Sequence, residues 1–418
     1  MELNIDKTEK IFLEDLIRNS SSIVNLKKKK DLSEIKETAD KIYRKINPIN
    51  YDSIEEFYSS NPTIPLMFKI ALKLAKSKYY VYRFKDEAHI SINIAMYNEH
   101  NRILQLDKHP NGEDFLNVKL DQLDWLFKDF KNYHWELILV DDGCPNNSCE
   151  IAQKIISENK YKNVEVLFLE EAIAQKIPVT KGLKDTKESQ KGGSILYGMY
   201  HSTKKTKKNH VVIYTDADLS THLGQIGLLI KPIIEDNYLS AIGSRRENSS
   251  VVIKQGKRND RGKLFIYSWK RMLPELNYII DTQCGFKAFD AKIVNDIIAP
   301  SIEKKFAFDI ELLLKTENIR KNSIYKVPIA WIDSEAESTT TDLQPYLPML
   351  KSIAKMYNTY SKQKTDIGNN FANFYDRITK ERWDTLLKNI PSDITKRNPI
   401  EFSSYDKVTV SELEYLTM

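Results

Sequence analysis

Short apolar runs alternate with amphipathic segments along the middle of the chain. Five runs from residue 88 onward are rich in β-branched and aromatic residues and predict strands: AHISINIAMY, WELILVDD, VEVLFL, VVIYTDAD and YLSAIGSR. Segments between them carry apolar residues at helical spacing: FLNVKLDQLDWLFKDF, SCEIAQKIISE, GGSILYGMYHS and THLGQIGLLIKPIIED. This alternation predicts an α/β fold, a Rossmann-like and mostly parallel sheet with helices on both faces.

Helical periodicity replaces this alternation toward both ends of the chain, as in LSEIKETADKIYRKI and NNFANFYDRITKERWDTLLKNI. We therefore predict a helical N-terminal extension (1–85), an α/β domain (86–360) and a helical C-terminal extension (361–418). Within the α/β domain, residues 171–190 are lysine-rich and weakly periodic. This stretch predicts a surface linker, with a lid as the alternative.

The composition of the chain argues against a nucleic-acid-binding protein and against a transmembrane protein. The chain has 418 residues, 63 of them basic and 58 acidic, and its net charge of +5 does not favour nucleic-acid binding. Three cysteines fit a reducing compartment, and no apolar run approaches the length of a membrane span. We therefore expect a cytoplasmic protein without a transmembrane segment. The basic, aromatic stretch LKLAKSKYYVYRFK leaves peripheral membrane contact open.

Polar residues follow the predicted strands, and ligands of parallel α/β sheets bind outside the carboxyl ends of strands. Asp216 and Asp218 come directly after VVIYT, and on an extended chain residues two apart point to the same side. Two close carboxylates need a cation or a shared proton, although Asp218 could instead cap a helix after a simple turn. The other polar strand ends are Asn98, Glu99, Asp141, Asp142, Arg245 and Arg246.

Eight segments in a constant order resemble the family 2 glycosyltransferases with the GT-A fold. They are ISINIAMYNEHNRI, ILVDDGCPNNS, KGGSILYGM, YTDADLST, AIGSRRE, DTQCGFKAFD, FAFDIELL and VPIAWID. Together they span residues 88 to about 340 and are most similar to the dolichyl-phosphate glucosyltransferase and wider polyprenyl-phosphate glycosyltransferase group. The resemblance implies the GT-A fold and does not extend to the flanking regions, residues 1–85 and 360–418.

The resemblance also implies a nucleotide-sugar donor and a divalent cation. Asp216 and Asp218 match the Asp-X-Asp motif of the family, in which the second aspartate holds the metal and the first lies near the ribose or sugar. Carboxylate oxygens suit Mg²⁺ or Mn²⁺. The residues expected to bind the nucleotide-sugar are Asn98, Glu99, Asp141, Asp142, Lys191, Asp216, Arg245 and Gln283.

Lys191 stands before two glycines, where a backbone and a helix N-terminus could approach an anion closely. The chain departs from the family here, because Ser189-Gln190 replaces the usual Asn-Gly before the lysine. Further along, Cys284 is expected to fill space in the core rather than to act as a nucleophile.

The resemblance implies that Asp309 and Asp218 are the catalytic residues. Asp309 aligns with the catalytic base of many family members, but it could also position the acceptor or cap a helix. A lipid phosphate, which is already anionic, would not need a base. The residues expected to bind the acceptor or its phosphate are Arg246, Arg258, Arg261 and Trp331, of which Trp331 could equally be a core residue.

We therefore expect an inverting, metal-dependent glycosyltransferase that uses a UDP-sugar, most simply UDP-glucose, and a polyprenyl phosphate as acceptor. Two alternatives remain. The acceptor could be a soluble saccharide, a small molecule or a protein, or the chain could be a non-catalytic scaffold that binds a nucleotide-sugar.

Overall fold

The computed structural model of the chain describes residues 3, 5–59, 61–254, 260–334 and 345–418. Arg258, one of the arginines expected at the acceptor, lies outside the described residues. Among the described residues, no helix is both long and apolar enough to cross a bilayer.

Helices surround a central sheet. The helices are α1 (Lys7–Asn19), α2 (Lys29–Lys45), α3 (Tyr51–Ser59), α4 (Leu66–Arg83), α5 (Phe115–Phe127), α6 (Ser148–Asn159), α7 (Leu169–Ala174), α8 (Gly192–Ser202), α9 (Ile226–Ile234), α10 (Asp260–Met272), α11 (Ala291–Ile298), α12 (Phe308–Ile319), α13 (Tyr346–Tyr360), α14 (Asp366–Arg377), α15 (Lys380–Lys388), α16 (Ser392–Thr395) and α17 (Val410–Tyr415). The strands are β1 (Ala88–Met96), β2 (Tyr133–Asp141), β3 (Val164–Phe168), β4 (His210–Thr215), β5 (Ser240–Ser244), β6 (Val251–Ile253), β7 (Phe286–Asp290), β8 (Ile324–Pro328) and β9 (Ala330–Ile332).

Seven strands form one sheet in the order β3-β2-β1-β4-β7-β5-β8. Neighbours in this order are parallel, except that β7 runs antiparallel to both β4 and β5. The carboxyl ends of β1, β2 and β4 therefore meet at the edge where β7 begins. The short strands β6 and β9 pair in parallel as a separate ribbon.

The two faces of the sheet bury separate apolar clusters, because successive side chains of a strand point to opposite sides. In β4, Val211 and Ile213 join the cluster that contains residues of α4, α5 and α9. Val212 and Tyr214 join the cluster that contains residues of α7, α8 and α11. Both faces of the sheet are covered at β4, which explains why VVIYT is apolar throughout.

The N-terminal helices belong to the same core as the sheet. Residues of α1 to α4 join one cluster with β1, β4 and α9, so their apolar faces are buried against the α/β part of the chain. Lys73 of α4 is fully buried, and its Nζ donates to Glu55 at 2.6 Å and to the carbonyl of Pro328 at 3.0 Å. The boundary at residue 86 stays a prediction.

The C-terminal helices form a third apolar cluster with α10 and α12. Two buried hydrogen bonds join α10 to the C-terminal residues, since Tyr267 donates to the carbonyl of Val408 at 2.8 Å and Ser268 Oγ lies 2.5 Å from the Tyr375 hydroxyl. The helical extension after residue 360 is thus packed against α10, although its status as a separate domain stays a prediction.

The predicted α/β class is confirmed, as a mixed and mostly parallel seven-stranded sheet with helical flanks. The sequence patterns did not predict β7, which enters the sheet antiparallel between β4 and β5. Residues 171–190 are not the plain linker that we expected, because they contain most of α7 and two short 3₁₀ turns and bury Val179, Thr180 and Ser189.

Candidate functional site

Asp142 joins the carboxyl end of β2 to the N-terminus of α8. Its carboxylate accepts hydrogen bonds from the Ser194 hydroxyl at 2.7 Å, the Ser189 hydroxyl at 2.5 Å and the backbone N–H of Lys191 at 2.7 Å. Burial raises the pKa of Asp142, and these three donors oppose the rise. The anion at the N-terminus of α8 is therefore the side chain of Asp142, which holds the turn that presents Lys191.

Lys191 pairs with Asp216 across the sheet edge. Lys191 has a positive φ of 80°, and its Nζ forms a short ion pair with Asp216 Oδ1. Burial favours the neutral amine, but the carboxylates of Asp216 and Asp309 outweigh it and raise the pKa of Lys191. Both side chains stay partly open to solvent, with exposed fractions of 27% for Lys191 and 38% for Asp216, so a ligand can reach the pair.

Gly285 makes room for the carboxylate of Asp216. A Cβ on Gly285 would clash with both carboxylate oxygens, and the backbone N–H of Asp216 donates to the Gly285 carbonyl at 3.2 Å. Although burial opposes it, the nearby amines of Lys191, Lys119 and Lys287 lower the pKa of Asp216. Asp216 is thus held as a carboxylate at the end of β4.

Asp218 lies one residue beyond the buried Ala217 and is half-buried. Its Oδ1 accepts a hydrogen bond from the backbone N–H of Ser220 at 3.0 Å, which closes a tight turn. Asp218 does not cap a helix, because the next helical turn is capped by the ring of His222, which accepts from the Gly224 N–H at 2.9 Å. The capping alternative for Asp218 is therefore wrong.

A second acidic group lies beside Asp218, on the segment between β1 and α5. Arg102 donates to Glu99 Oε2 at 2.6 Å, and its Nε lies 3.7 Å from Glu113 Oε1. Glu113 also accepts from the backbone N–H of Leu219 at 3.2 Å, which ties this segment to the turn after β4. Burial raises the pKa of Glu99 to about 7 against the effect of Arg102, with Asp218 and Glu113 adding to the rise.

Lys119 of α5 is completely buried next to these acids. Its Nζ has no hydrogen-bond partner among the described residues. Burial lowers the pKa of Lys119, while the carboxylates of Asp218, Asp216 and Glu113 act in the opposite direction. The amine therefore lies within electrostatic reach of the carboxylates at the sheet edge. The sequence patterns missed it because Lys119 falls on what the helical pattern marks as a polar position.

Asp309 lies in the first turn of α12 and is held from the sheet. Lys287 Nζ donates to Asp309 Oδ1 at 2.5 Å, and the hydroxyl of Tyr214 donates to the same oxygen. Asp309 and Lys287 are both buried. The N-cap of α12 is Ala307, so the alternative that Asp309 caps this helix is wrong. Neither Lys287 nor Tyr214 engages Oδ2.

The arginines after β5 differ in their surroundings. Arg245 makes a two-pronged ion pair with the buried Asp281, at 2.8 Å from Nε and 2.7 Å from Nη2, and its guanidinium lies 5.2 Å from the Trp331 ring centre. Burial notwithstanding, Asp281 raises the pKa of Arg245. Arg246 is exposed, and Arg261 lies in the first turn of α10.

The other residues predicted to bind the nucleotide-sugar are Asn98, Asp141 and Gln283. Asn98 has a positive φ of 58°, and its Oδ1 accepts from Asn146 at 2.9 Å. Asp141 Oδ1 accepts from the backbone N–H groups of Gly143 at 2.8 Å and Cys144 at 3.2 Å. Gln283 is partly buried immediately before Cys284. Burial raises the pKa of the Cys284 thiol to about 12, which fits a space-filling residue rather than a nucleophile.

The structure therefore brings two groups together. Lys191, Asp216, Asp218 and Asp309 share one edge with Lys119 and Lys287, which the sequence patterns did not single out. Arg245 and Trp331 form a second group with Asp281. The sequence does contain an indication of the role of Lys287. A lysine within the apolar segment GFKAFD predicts a buried amine, and a buried amine needs a partner.

Asp216 and Asp218 fit a hard divalent cation only in part. Both offer carboxylate oxygens and both are partly exposed. Within the described residues, no third carboxylate, histidine or cysteine lies close enough to complete a three-residue ligand set around them. Mg²⁺ and Mn²⁺ sites of phosphate-transferring enzymes often use one or two carboxylates and take their other ligands from water and phosphate. Two carboxylates would therefore leave most of the coordination of a cation to water or to a bound phosphate.

Residues 119–298 match the family model "Glycosyl transferase family 2". Among curated proteins, the chain is 26% identical over 261 residues to a dolichyl-phosphate beta-glucosyltransferase of Saccharomyces cerevisiae, covering 59% of this chain and 67% of that one. It is 27% identical over 233 residues to the human protein of the same name, covering 53% of this chain and 63% of that one. The matched part of the chain contains Lys191, Asp216, Asp218 and Lys287 but ends before Asp309.

Two solved structures match this chain at low similarity. A mannosyl-3-phosphoglycerate synthase from Rubrobacter xylanophilus has a TM-score of 0.44 at 12% identity, covering 69% of this chain and 80% of that one. A mannosyltransferase from Pyrobaculum calidifontis, solved with GDP-Man and Mn²⁺, has a TM-score of 0.40 at 11% identity, covering 91% and 96%.

Proposed function

The chain carries a glycosyl transferase family 2 domain and is a glycosyltransferase of that family, and from this premise we propose that it transfers a hexose from a UDP-sugar to a polyprenyl phosphate. The scaffold alternative is set aside with this assignment. The donor, the acceptor and the metal are the parts of the proposal that need an experiment.

The arrangement of Lys191, Asp216 and Asp218 is the observation that carries the proposal. One ammonium and two carboxylates share the edge where β1, β2 and β4 end, and they are partly exposed in an otherwise buried region. Ligands of α/β sheets bind at this edge. A diphosphate needs positive charge, and a cation bound to it needs oxygen ligands; the same edge offers both.

In the proposed mechanism, Lys191 binds the diphosphate and Asp218, with Asp216, holds the cation. When bound, that cation neutralises negative charge on the departing nucleoside diphosphate. Ionic contact between Lys191 and Asp216 holds both side chains in place before the donor arrives, so less reorganisation is needed on binding.

Asp309 would act on the acceptor side. Lys287 and Tyr214 fix its carboxylate through Oδ1, so Oδ2 keeps a constant direction. A hydroxyl acceptor would need Oδ2 as its base, whereas a phosphate acceptor would need only to be positioned. The nucleophile attacks the anomeric carbon from the side opposite the diphosphate, which inverts the configuration.

Two observations support the proposed substrates. The curated relatives are named dolichyl-phosphate beta-glucosyltransferases, which favours a glucose donor and a lipid phosphate acceptor. In addition, the exposed Arg246 stands beside the Arg245–Asp281 pair, so its guanidinium is available to a phosphate. We propose that Arg246 and Arg261 contact the acceptor phosphate and that Trp331 lines the sugar site with Arg245.

The first test is a thermal-shift screen of UDP-, GDP-, CDP- and dTDP-sugars with and without Mn²⁺. A ligand that binds only the folded state raises the melting temperature by mass action. We expect a Mn²⁺-dependent shift with UDP-glucose. A shift with another nucleotide would replace the proposed donor, and the absence of any shift would contradict the donor site.

The second test is transfer of labelled glucose to a polyprenyl phosphate in detergent. Asp218→Asn should reduce the rate by about 100-fold or more, because it removes a group that stabilises developing charge. The Ser220 N–H keeps an acceptor in this variant, so the fold should be unaffected. Product formed only with soluble glycans would retain the donor site and overturn the lipid acceptor.

A further inference from the structure

A cluster of two histidines and a glutamate lies at the end of the sheet opposite to Asp216. His89 is the second residue of β1 and His134 the second residue of β2, and they are direct partners in the parallel register. Their rings stack with centres 4.9 Å apart, and Glu87 precedes β1 on the same side. Within the described residues, this is the one group of three metal-ligating side chains whose ligand atoms all lie within 4.8 Å of each other.

Two of the three distances between ligand atoms in this cluster match those around a tetrahedral metal ion, and the third is at most 4.8 Å. Glu87 Oε1 lies 3.3 Å from Nε2 of His89 and 3.3 Å from Nε2 of His134. Zinc bonds of about 2.0–2.1 Å in tetrahedral geometry place neighbouring ligand atoms about 3.3 Å apart. The contact between His89 Nε2 and Glu87 Oε1 is also within hydrogen-bond reach, although charge-assisted hydrogen bonds are usually shorter, at about 2.7–2.9 Å.

We infer that Glu87, His89 and His134 form a binding site for a borderline divalent cation, with Zn²⁺ as the ion that fits best. Two imidazole nitrogens and one carboxylate oxygen are a common zinc ligand set, with water as the fourth ligand. This chemistry differs from that of Asp216 and Asp218, whose all-oxygen set suits Mg²⁺ or Mn²⁺. The inference therefore does not depend on the proposed function.

The surroundings support a ligand role for the histidines. The paired register of β1 and β2 places the two imidazoles side by side on one face of the sheet, with Glu87 beside both. The nearby ammonium of Lys207 is paired with Glu136, and His210 is engaged with Ser91 at 2.8 Å. The exposed fractions of the His134 and Glu87 side chains, 53% and 50%, leave room for water.

Backbone contacts hold the glutamate in place. The side chain of Asn209 donates to the carbonyl of Glu87 at 2.8 Å, and the N–H of His89 donates to the carbonyl of Asn209 at 3.3 Å. A bound ion would therefore join the start of β2 to the start of β1 and, through Asn209, to the turn before β4. Its expected effect is to stabilise this edge of the sheet.

The test is a Zn²⁺ titration by calorimetry on tag-free, metal-stripped, full-length protein. All variants carry Asp218→Asn, so that the predicted Mg²⁺ or Mn²⁺ site contributes less. We expect one zinc ion per chain and an increase in melting temperature on binding. Adding His134→Gln or Glu87→Gln should weaken zinc binding by about tenfold or more, as loss of a metal ligand does. These side chains are exposed, so the variants should fold, and circular dichroism checks this.

His109→Gln provides the matched control, since His109 lies on the loop between β1 and α5, away from the cluster. It should bind zinc as its parent does. Replacement of zinc by Co²⁺ gives a second readout, because tetrahedral Co²⁺ absorbs visible light strongly. Absence of saturable zinc binding, or equal affinity in the parent and in both ligand variants, would overturn the inference and leave a hydrogen-bonded histidine pair.

Discussion

Lys287, in the antiparallel strand β7, donates a hydrogen bond of 2.5 Å to Asp309 Oδ1 on α12. The exposed fraction of the lysine side chain is 0% and that of the aspartate is 6%. A buried ion pair is stable as a pair, but removing one partner leaves an uncompensated charge in a medium of low polarity. The pair therefore connects the stability of the sheet to the position of the proposed acceptor residue.

Lys287→Met should lower the free energy of unfolding by about 3–5 kcal/mol, because Asp309 would then be buried without its partner. Adding Asp309→Asn should recover a large part of that loss, since the charge is removed as well. Urea unfolding of the two single variants and the double variant measures the coupling. Additive losses would mean that the two side chains do not depend on each other.

Lys119→Met should increase the affinity of the donor-free protein for Mn²⁺. The variant removes a buried amine near Asp218 and Asp216 while keeping a side chain of similar length. We expect a change of about tenfold, or ~1.4 kcal/mol, which is modest for charges at a partly exposed edge. Electron paramagnetic resonance of free Mn²⁺ gives the affinity.

Lys154→Met is the control for this experiment, because Lys154 is exposed on α6 and pairs only loosely with Glu158 at 3.8 Å. Its Mn²⁺ affinity should equal that of the parent. Equal affinities in the Lys119 and Lys154 variants would show that Lys119 does not influence the cation site.

The sequence patterns predicted the strands and helices that have a regular hydrophobic pattern. They missed β7, whose place in the sheet involves contacts between residues far apart in the sequence. Strands such as VVIYT are apolar because both faces are covered, so their hydrophobic runs are visible without a structure. The strand FKAFD carries Lys287 as its second residue, and the partner Asp309 lies 22 residues further along. No local sequence pattern predicts the contact between Lys287 and Asp309.

The candidate site was predicted where its chemistry is local in sequence. Asp216 and Asp218 are two residues apart and follow a strand, which was enough to suggest a shared ligand. Lys119 could not be found this way, because an amphipathic helix normally exposes its lysines. The sequence suggested a nucleotide-binding role for Asp142. In the structure its carboxylate accepts hydrogen bonds from Ser189, Ser194 and the backbone of Lys191 instead.

Glu99 should make the stability of the protein depend on pH between about 4.5 and 7. Burial raises the pKa of Glu99 from 4.5 to about 7, so the folded state binds the proton more tightly than the unfolded state. The contribution is complete below pH 4.5 and is lost as the pH rises through 7, for a total of about 3 kcal/mol.

Urea unfolding at pH 5 and pH 7.5 measures this effect when wild type is compared with Glu99→Gln, which cannot titrate. The wild type should lose stability relative to the variant at the higher pH. An unchanged difference between the two proteins would mean that Arg102 keeps Glu99 charged throughout this range.

Gly285→Ala should impair donor binding more than folding. The new methyl group would meet the carboxylate of Asp216, which must then move away from Lys191, whereas the backbone of Gly285 does not require a positive φ. We expect the UDP-sugar affinity to fall by about tenfold or more, because a misplaced group at a binding site loses its contacts. Gly262→Ala is the control, since its Cβ would meet only the Tyr346 hydroxyl at 3.2 Å. Calorimetric titration of both variants decides the matter: if Gly285→Ala binds the donor as Gly262→Ala does, the position of Asp216 is not critical for the donor.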